Sequence, residues 1–191
     1  MLNSNKRKVI PIYSGWSYSL DLKSTLRLHD HGLLRVFKIQ VNSESKKFNP
    51  LAFFSSLIDS IFYQELFFDH FSQVSIGKHG PFLIENIQPH HFSKKNNKFF
   101  KEDFMQIVTS PKWGCPKISG SAFEKVKLLL ELRVKETTLI YFLDKCRTFN
   151  ASSNEAKIYE HEWSHNLTSF YEFVLYDPDI KIAHILILTY E

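Results

Sequence analysis

The chain has 191 residues, the length of a single domain, and its 43% hydrophobic content excludes an intrinsically disordered protein. The net charge of +4 comes from 24 basic and 20 acidic residues, too even a balance to predict the dense basic surface of most nucleic-acid-binding domains. The two cysteines have no CxxC spacing, so neither a disulfide framework nor a thiolate zinc site is expected.

No stretch of the sequence fits a signal peptide or a membrane span. The apolar run over residues 182–190 is far shorter than the roughly 20 residues that cross a bilayer. We therefore expect one soluble domain over residues 1–191, located in the cytoplasm and without a membrane partner.

The first predicted elements form an N-terminal hairpin. Apolar and polar residues alternate over residues 16–22 and again over residues 33–41, the period of a half-buried strand. Between them, His29-Asp30-His31-Gly32 is a turn signal, because glycine tolerates a positive φ.

A long amphipathic helix is predicted next, over residues 50–71. Asn49 is a favoured N-cap and Pro50 a favoured first helical residue. The apolar residues follow at one-face helical spacing, so we expect four of them to face the core: Leu57, Ile58, Ile61 and Phe62.

For the middle of the chain, the sequence predicts a strand, a basic loop and a second long helix. Residues 81–88 read as the strand and residues 89–101 as a polar, basic loop. The helix starts at Ser121, where Glu124 completes a capping box. Its apolar side runs on to Leu143, with a break expected at residues 136–138: Val126, Leu129, Leu130, Val134, Leu139, Ile140 and Leu143.

The chain closes on a second hairpin, which completes the predicted fold. Residues 169–176 and 180–190 form its strands, and the second strand is apolar on both faces, as in a covered strand. His184 in this strand is therefore expected to be mostly buried and hydrogen-bonded. The predicted class is α+β: an antiparallel sheet built from N- and C-terminal hairpins, with two long helices packed on one face.

One catalytic pattern is present, His161-Glu162-Trp163-Ser164-His165, which matches HExxH. A capping box at residues 152–155 favours a short helix over residues 155–166, where both imidazoles would share one face. The alternative is a strand, in which Tyr159, His161, Trp163 and His165 would face one side, and periodicity over so few residues does not separate the two. In these five residues the chain resembles the active-site helix of the zincin metalloproteases. The resemblance implies a zinc cofactor held by His161 and His165, with Glu162 as general base.

A zincin site needs a third protein ligand, and the natural candidates are Glu172 and His184. Both lie in the closing hairpin, whereas a zincin supplies this ligand from a following helix. We therefore predict that His161, Glu162 and His165 do not form a catalytic zinc site.

Three functions follow, in order of preference. The first is a small interaction or accessory protein without its own catalytic chemistry, which binds another protein through an aromatic-rich face; the chain has 18 Phe, 8 Tyr and 3 Trp. The alternative is a zinc-dependent hydrolase, so the sequence leaves open whether the chain is an enzyme. A second alternative is single-stranded nucleic-acid binding through the basic residues 94–101, which include Phe99 and Phe100.

Overall fold

The fold is known from a computed structural model, which describes residues 16–43, 48–60, 63, 77–110, 117–144 and 169–190. Within these ranges lie three α-helices: α1 (Pro50–Ile58), α2 (Asn97–Thr109) and α3 (Gly120–Arg133). The strands are β1 (Trp16–His29), β2 (Gly32–Ser43), β3 (Lys78–His79), β4 (Phe82–Leu83), β5 (Phe92–Lys95), β6 (Leu139–Leu143), β7 (Ser169–Asp177) and β8 (Ile182–Tyr190).

Six of these strands form one antiparallel sheet in the order β1-β2-β8-β7-β6-β5. The sheet and the helices confirm the predicted α+β class. β1 and β2 pair as a hairpin around Asp30 and His31, and β7 pairs with β8. Because β2 also pairs with β8, the two hairpins lie side by side.

β8 is the covered strand that its apolar sequence predicts. It lies between β2 and β7, and every residue from 183 to 190 is buried. Successive residues face opposite sides of a strand, so a strand covered on both faces is apolar throughout. The predicted burial of His184 is also confirmed, with 5% of its surface exposed.

The helices cover both faces of the sheet. Val174 and Tyr176 on β7 pack in the same core as α1, while their neighbours Phe173 and Leu175 pack in the core of α2 and α3. The prediction that the two long helices share one face is therefore wrong, since α1 and α3 lie on opposite faces. Burial on both sides explains why the central strands carry so few polar residues.

The first helix is shorter than predicted, because it ends at Ile58 rather than near residue 71. The Ser60 hydroxyl donates to the Leu57 carbonyl at 2.6 Å and accepts from the Tyr63 amide at 3.2 Å, which closes one turn and starts another. Leu57 and Ile58 are buried as predicted. Ile61 and Phe62 lie outside the described residues.

The second predicted helix also ends early, and its last part is a strand. α3 stops at Arg133, and Thr138 then accepts from the Lys135 amide and donates to the Arg133 carbonyl, which forms a tight turn. Residues 139–143 follow as β6, because aromatic and β-branched residues favour a pleated surface. The predicted cap at Ser121 is also displaced, since Ser119 accepts from the Ala122 amide.

Residues 81–101 hold more regular structure than predicted. The expected strand over residues 81–88 reduces to β4 followed by a 3₁₀ turn at Ile84–Asn86. The expected basic loop over residues 89–101 contains β5 and the first turn of α2 instead. Within the described ranges, no helix combines the length and the apolar character that crossing a membrane requires.

Candidate functional site

The main polar feature of the core is a buried glutamate on β7. Glu172 lies between Phe170 and Val174 on the face covered by α1, and none of its surface is exposed. A carboxylate is costly to bury unless it is hydrogen-bonded or paired with a charge. Its partners come from two distant segments of the chain.

The first partner is His79, at the end of β3. Its Nε2 lies 2.6 Å from Oε2 of Glu172, and the imidazole is fully buried. Gly80 and Pro81 connect β3 to β4, and Gly80 has a φ of +57°, which favours glycine at the first central position of a two-residue turn. A Cβ at Gly80 would overlap the Phe170 ring, so this glycine lets the turn pack against β7.

The second partner is Tyr63, which the Ser60 turn places over β7. Its hydroxyl lies 3.0 Å from both carboxylate oxygens of Glu172. The phenol ring stacks on the His79 imidazole, with ring centres 4.0 Å apart and planes 18° apart. We call these three residues the Tyr63–His79–Glu172 cluster.

The geometry of this cluster is that of a closed hydrogen-bond network. All three side chains have no exposed surface, so they do not meet solvent or a substrate in this conformation. Two ligands on one tetrahedral zinc, each at 2.0–2.2 Å, would stand about 3.4 Å apart. The 2.6 Å between Nε2 and Oε2 is instead the length of a short hydrogen bond.

A buried cation lies in the same layer as this cluster. Arg35 on β2 is 7% exposed and is paired in register with Ile187 on β8, which is in turn paired with Glu172. Paired residues share a face, so Arg35 and Glu172 lie in one row, two strand spacings or about 10 Å apart. The face of the sheet covered by α1 therefore holds both a buried carboxyl group and a buried guanidinium group.

The two candidate third ligands of the HExxH pattern occupy different sides of the sheet. Glu172 is opposite Ile187, on the face of α1, and His184 is opposite Leu175, on the face of α2 and α3. At most one of them can therefore reach a metal held by His161 and His165. Those two histidines and Glu162 lie outside the described residues, so their role stays a prediction. Over the ranges that the structure describes, no group of three His, Cys, Asp or Glu side chains is placed to hold a metal ion.

His184 has an environment of its own between β2 and β7. Its Nε2 has no hydrogen-bond partner among the described residues, so the expectation that it is fully hydrogen-bonded is wrong for this atom. Burial, followed by the positive charges of Arg133 and Lys38, lowers the pKa of His184 from 6.5 to about 4, while Asp177 acts in the opposite direction. The imidazole is therefore neutral at pH 7.

Sequence patterns nominated Glu172 but not its two partners. Tyr63 is 109 residues away from Glu172 and His79 is 93 residues away, so no local spacing connects them. The one available signal is Glu172 itself, because a charged residue inside an apolar strand implies a buried partner. Comparison of the chain with protein-family models, curated proteins and solved structures gives no match.

Proposed function

We propose that this chain is a small binding protein that recognises another protein and has no catalytic chemistry of its own. The observation that carries the proposal is a pair of exposed leucines on α3. Leu128 is 55% exposed and Leu132 is 57% exposed. Residues four apart are neighbours on a helix surface, so the two side chains form one apolar ridge, the α3 ridge.

The rest of α3 explains why this ridge is not part of the core. Ala122, Val126 and Leu130 are buried against the sheet, and their four-residue spacing defines the inner side of the helix. Leu128 and Leu132 lie on the outer side, where helical periodicity alone would place polar residues. We take this departure from the helical pattern as support for a recognition role of the ridge.

The surroundings of the ridge have the composition of a small interface. Glu124, Lys125 and Glu131 are exposed around the two leucines and supply a polar rim. Two leucines bury much less than the roughly 800 Å² per partner of a standard interface. The partner is therefore expected to hold both leucines in an apolar groove and to contact the rim as well.

The proposed surface is aliphatic rather than aromatic, which modifies the expectation from composition. Large aromatic side chains such as Phe53, Phe54, Phe104 and Phe173 fill the two cores. Among the described residues, Phe99 is the aromatic residue classed with the exposed large apolar side chains. Within the part of the chain that the structure describes, the large aromatic side chains thus mainly pack the sheet between its helices.

The test is affinity capture with matched surface variants. The Leu128→Ser/Leu132→Ser double variant removes the ridge, and Leu51→Ser/Ile180→Ser removes two similarly exposed apolar residues elsewhere, 60% and 50% exposed. Central interface residues typically contribute more than 1 kcal/mol each, so recovery of a genuine partner should fall about 10-fold or more in the first variant only. Equal recovery with both variants would contradict the proposal, provided that both melt like the parent protein.

A further inference from the structure

An open groove of 540 Å³ lies where β5 ends and α2 begins. One wall is formed by Lys94, Lys95, Asn96 and Asn97, and the other by the turn that precedes β6, with Glu136, Thr138 and Leu139. The volume is within the usual range for ligand sites, about 300–1,000 Å³. The α3 ridge is not part of this groove.

The groove wall is held in place by side-chain bonds to the backbone. The side-chain NH₂ group of Asn97 donates to the backbone carbonyls of Lys135, Glu136 and Thr138, which fixes the start of α2 against the opposite wall. Asn96 caps the helix by accepting from the Lys98 amide at 2.9 Å. The groove is therefore preorganised, which lowers the entropic cost of binding.

Lysines around the groove carry charge that the described residues do not neutralise. Lys95 is partly compensated, because its Nζ lies 3.5 Å from Asp144 Oδ2. Lys94, Lys98 and Lys101 have no carboxylate within ion-pair distance among the described residues. Lysines in this arrangement are suited to phosphate contacts, which need charge and no fixed geometry.

An exposed aromatic ring accompanies this charge. Phe99 lies in the first turn of α2, two residues after Asn97, and is 51% exposed. The Lys98 ammonium lies 5.5 Å from the centre of its ring. A solvent-facing aromatic ring next to lysines is the arrangement on which single-strand binders stack bases.

We propose that this groove and the adjoining first turn of α2 bind single-stranded nucleic acid. Lys94, in the groove wall, contacts one phosphate, and Lys98, in the helix turn beside the groove, contacts another, while Phe99 in the same turn stacks on a base. A single strand is favoured over a duplex, because a paired base cannot offer its face to Phe99. It is favoured over an acidic peptide, because the ring would then have no stacking partner. The binding is independent of the α3 ridge and of the partner proposed for it.

The experiment is fluorescence anisotropy with labelled 12-nucleotide dT and rU single strands and a duplex of equal length. Two lysine pairs are compared, Lys94→Ala/Lys98→Ala at the proposed site and Lys117→Ala/Lys127→Ala as an exposed control pair. The affinity should fall steeply with salt, and loss of the first pair should reduce the slope of log K against log salt by about 1.4, or 0.7 per phosphate. The control pair should leave the slope unchanged.

The aromatic contribution is tested with Phe99→Ala and Phe99→Trp. Loss of one stacked base should weaken single-strand binding by about 5-fold to 100-fold, and tryptophan should restore it. The proposal is overturned if the protein does not bind single strands in 50 mM salt, or if both lysine pairs have the same effect. It is equally overturned if Phe99→Ala binds as tightly as the parent, or if the duplex binds as well as the single strands.

Discussion

Replacing Glu172 by leucine removes the acceptor that two buried side chains share. Tyr63 and His79 lose the carboxylate to which they are bonded at 3.0 and 2.6 Å, while the side-chain volume changes little. Leaving a buried polar group without its hydrogen-bond partner costs about 1–3 kcal/mol, so losing the partner of both side chains should cost about 2–6 kcal/mol. We therefore expect Glu172→Leu to lower the free energy of unfolding by about this amount.

The Tyr63→Phe substitution makes the prediction more specific. In the parent protein it removes a buried hydrogen bond and should cost about 1–3 kcal/mol. In the Glu172→Leu background the hydroxyl no longer has that acceptor, so its removal should be neutral or stabilising. The difference between the two backgrounds is the coupling energy of the pair.

These free energies of unfolding are measured by urea denaturation, monitored by far-UV circular dichroism. The dependence of the free energy on urea concentration should be the same in all variants. Glu131→Leu is the matched control, because Glu131 is exposed on α3 and its loss should change stability by less than about 0.5 kcal/mol. If Glu172→Leu matches this control, or if Tyr63→Phe costs the same in both backgrounds, the buried cluster does not exist as described.

Three further outcomes follow from packing, backbone geometry and protonation. Leu57→Ala should cost about 2–5 kcal/mol in urea denaturation because Leu57 is fully buried, whereas Leu51→Ala, at a position 60% exposed, should cost little. Gly80→Ala should destabilise the protein by about 2–4 kcal/mol, since it adds a Cβ at positive φ in a filled space. Gly120→Ala is the control, because its Cβ would enter open space, and it should be neutral or stabilising by up to about 1 kcal/mol. His184 is protonated more easily in the unfolded chain, so its contribution to the free energy of unfolding is complete above pH 6.5 and is lost as the pH falls toward 4, by up to about 3 kcal/mol. His184→Leu should therefore make the free energy of unfolding less dependent on pH between 6.5 and 4. The same pH dependence in His184→Leu and the parent protein would contradict the assignment.

The hairpins were predictable because their signal is local. In β1 and β2 the period of two and the turn residues between the strands carry the information. In β7 and β8 the signal is two apolar runs on either side of a short polar turn. The choice of sheet face is not local. Whether α1 lies on the same face as α3 depends on how the chain crosses the sheet, and neither helix sequence records that.

The wrong secondary-structure predictions for the middle of the chain have identifiable causes. α2 was missed because lysines and asparagines surround its start, although Phe100, Phe104 and Val108 have the four-residue spacing of its buried side. The residues of β6 continue the apolar pattern of α3, and five residues are too few to separate a helix from a strand by periodicity. The turn at Thr138 separates the two elements.

The candidate site was predictable only in part. Glu172 was nominated only as a candidate third zinc ligand. Its partners come from the Ser60 turn and the Gly80 turn, which are distant in sequence. Their convergence is a property of the folded sheet. Local motifs therefore nominated the HExxH pattern and Glu172 without indicating that the glutamate binds Tyr63 and His79.

The zinc content of the purified protein tests the central claim most directly, that the chain acts by binding and not through metal chemistry of its own. We predict substoichiometric zinc that is the same in the parent protein, in His161→Ala and in the control His90→Ala, whose histidine is exposed. One zinc per chain that is lost in His161→Ala but kept in His90→Ala would contradict the account and favour the zinc-dependent hydrolase.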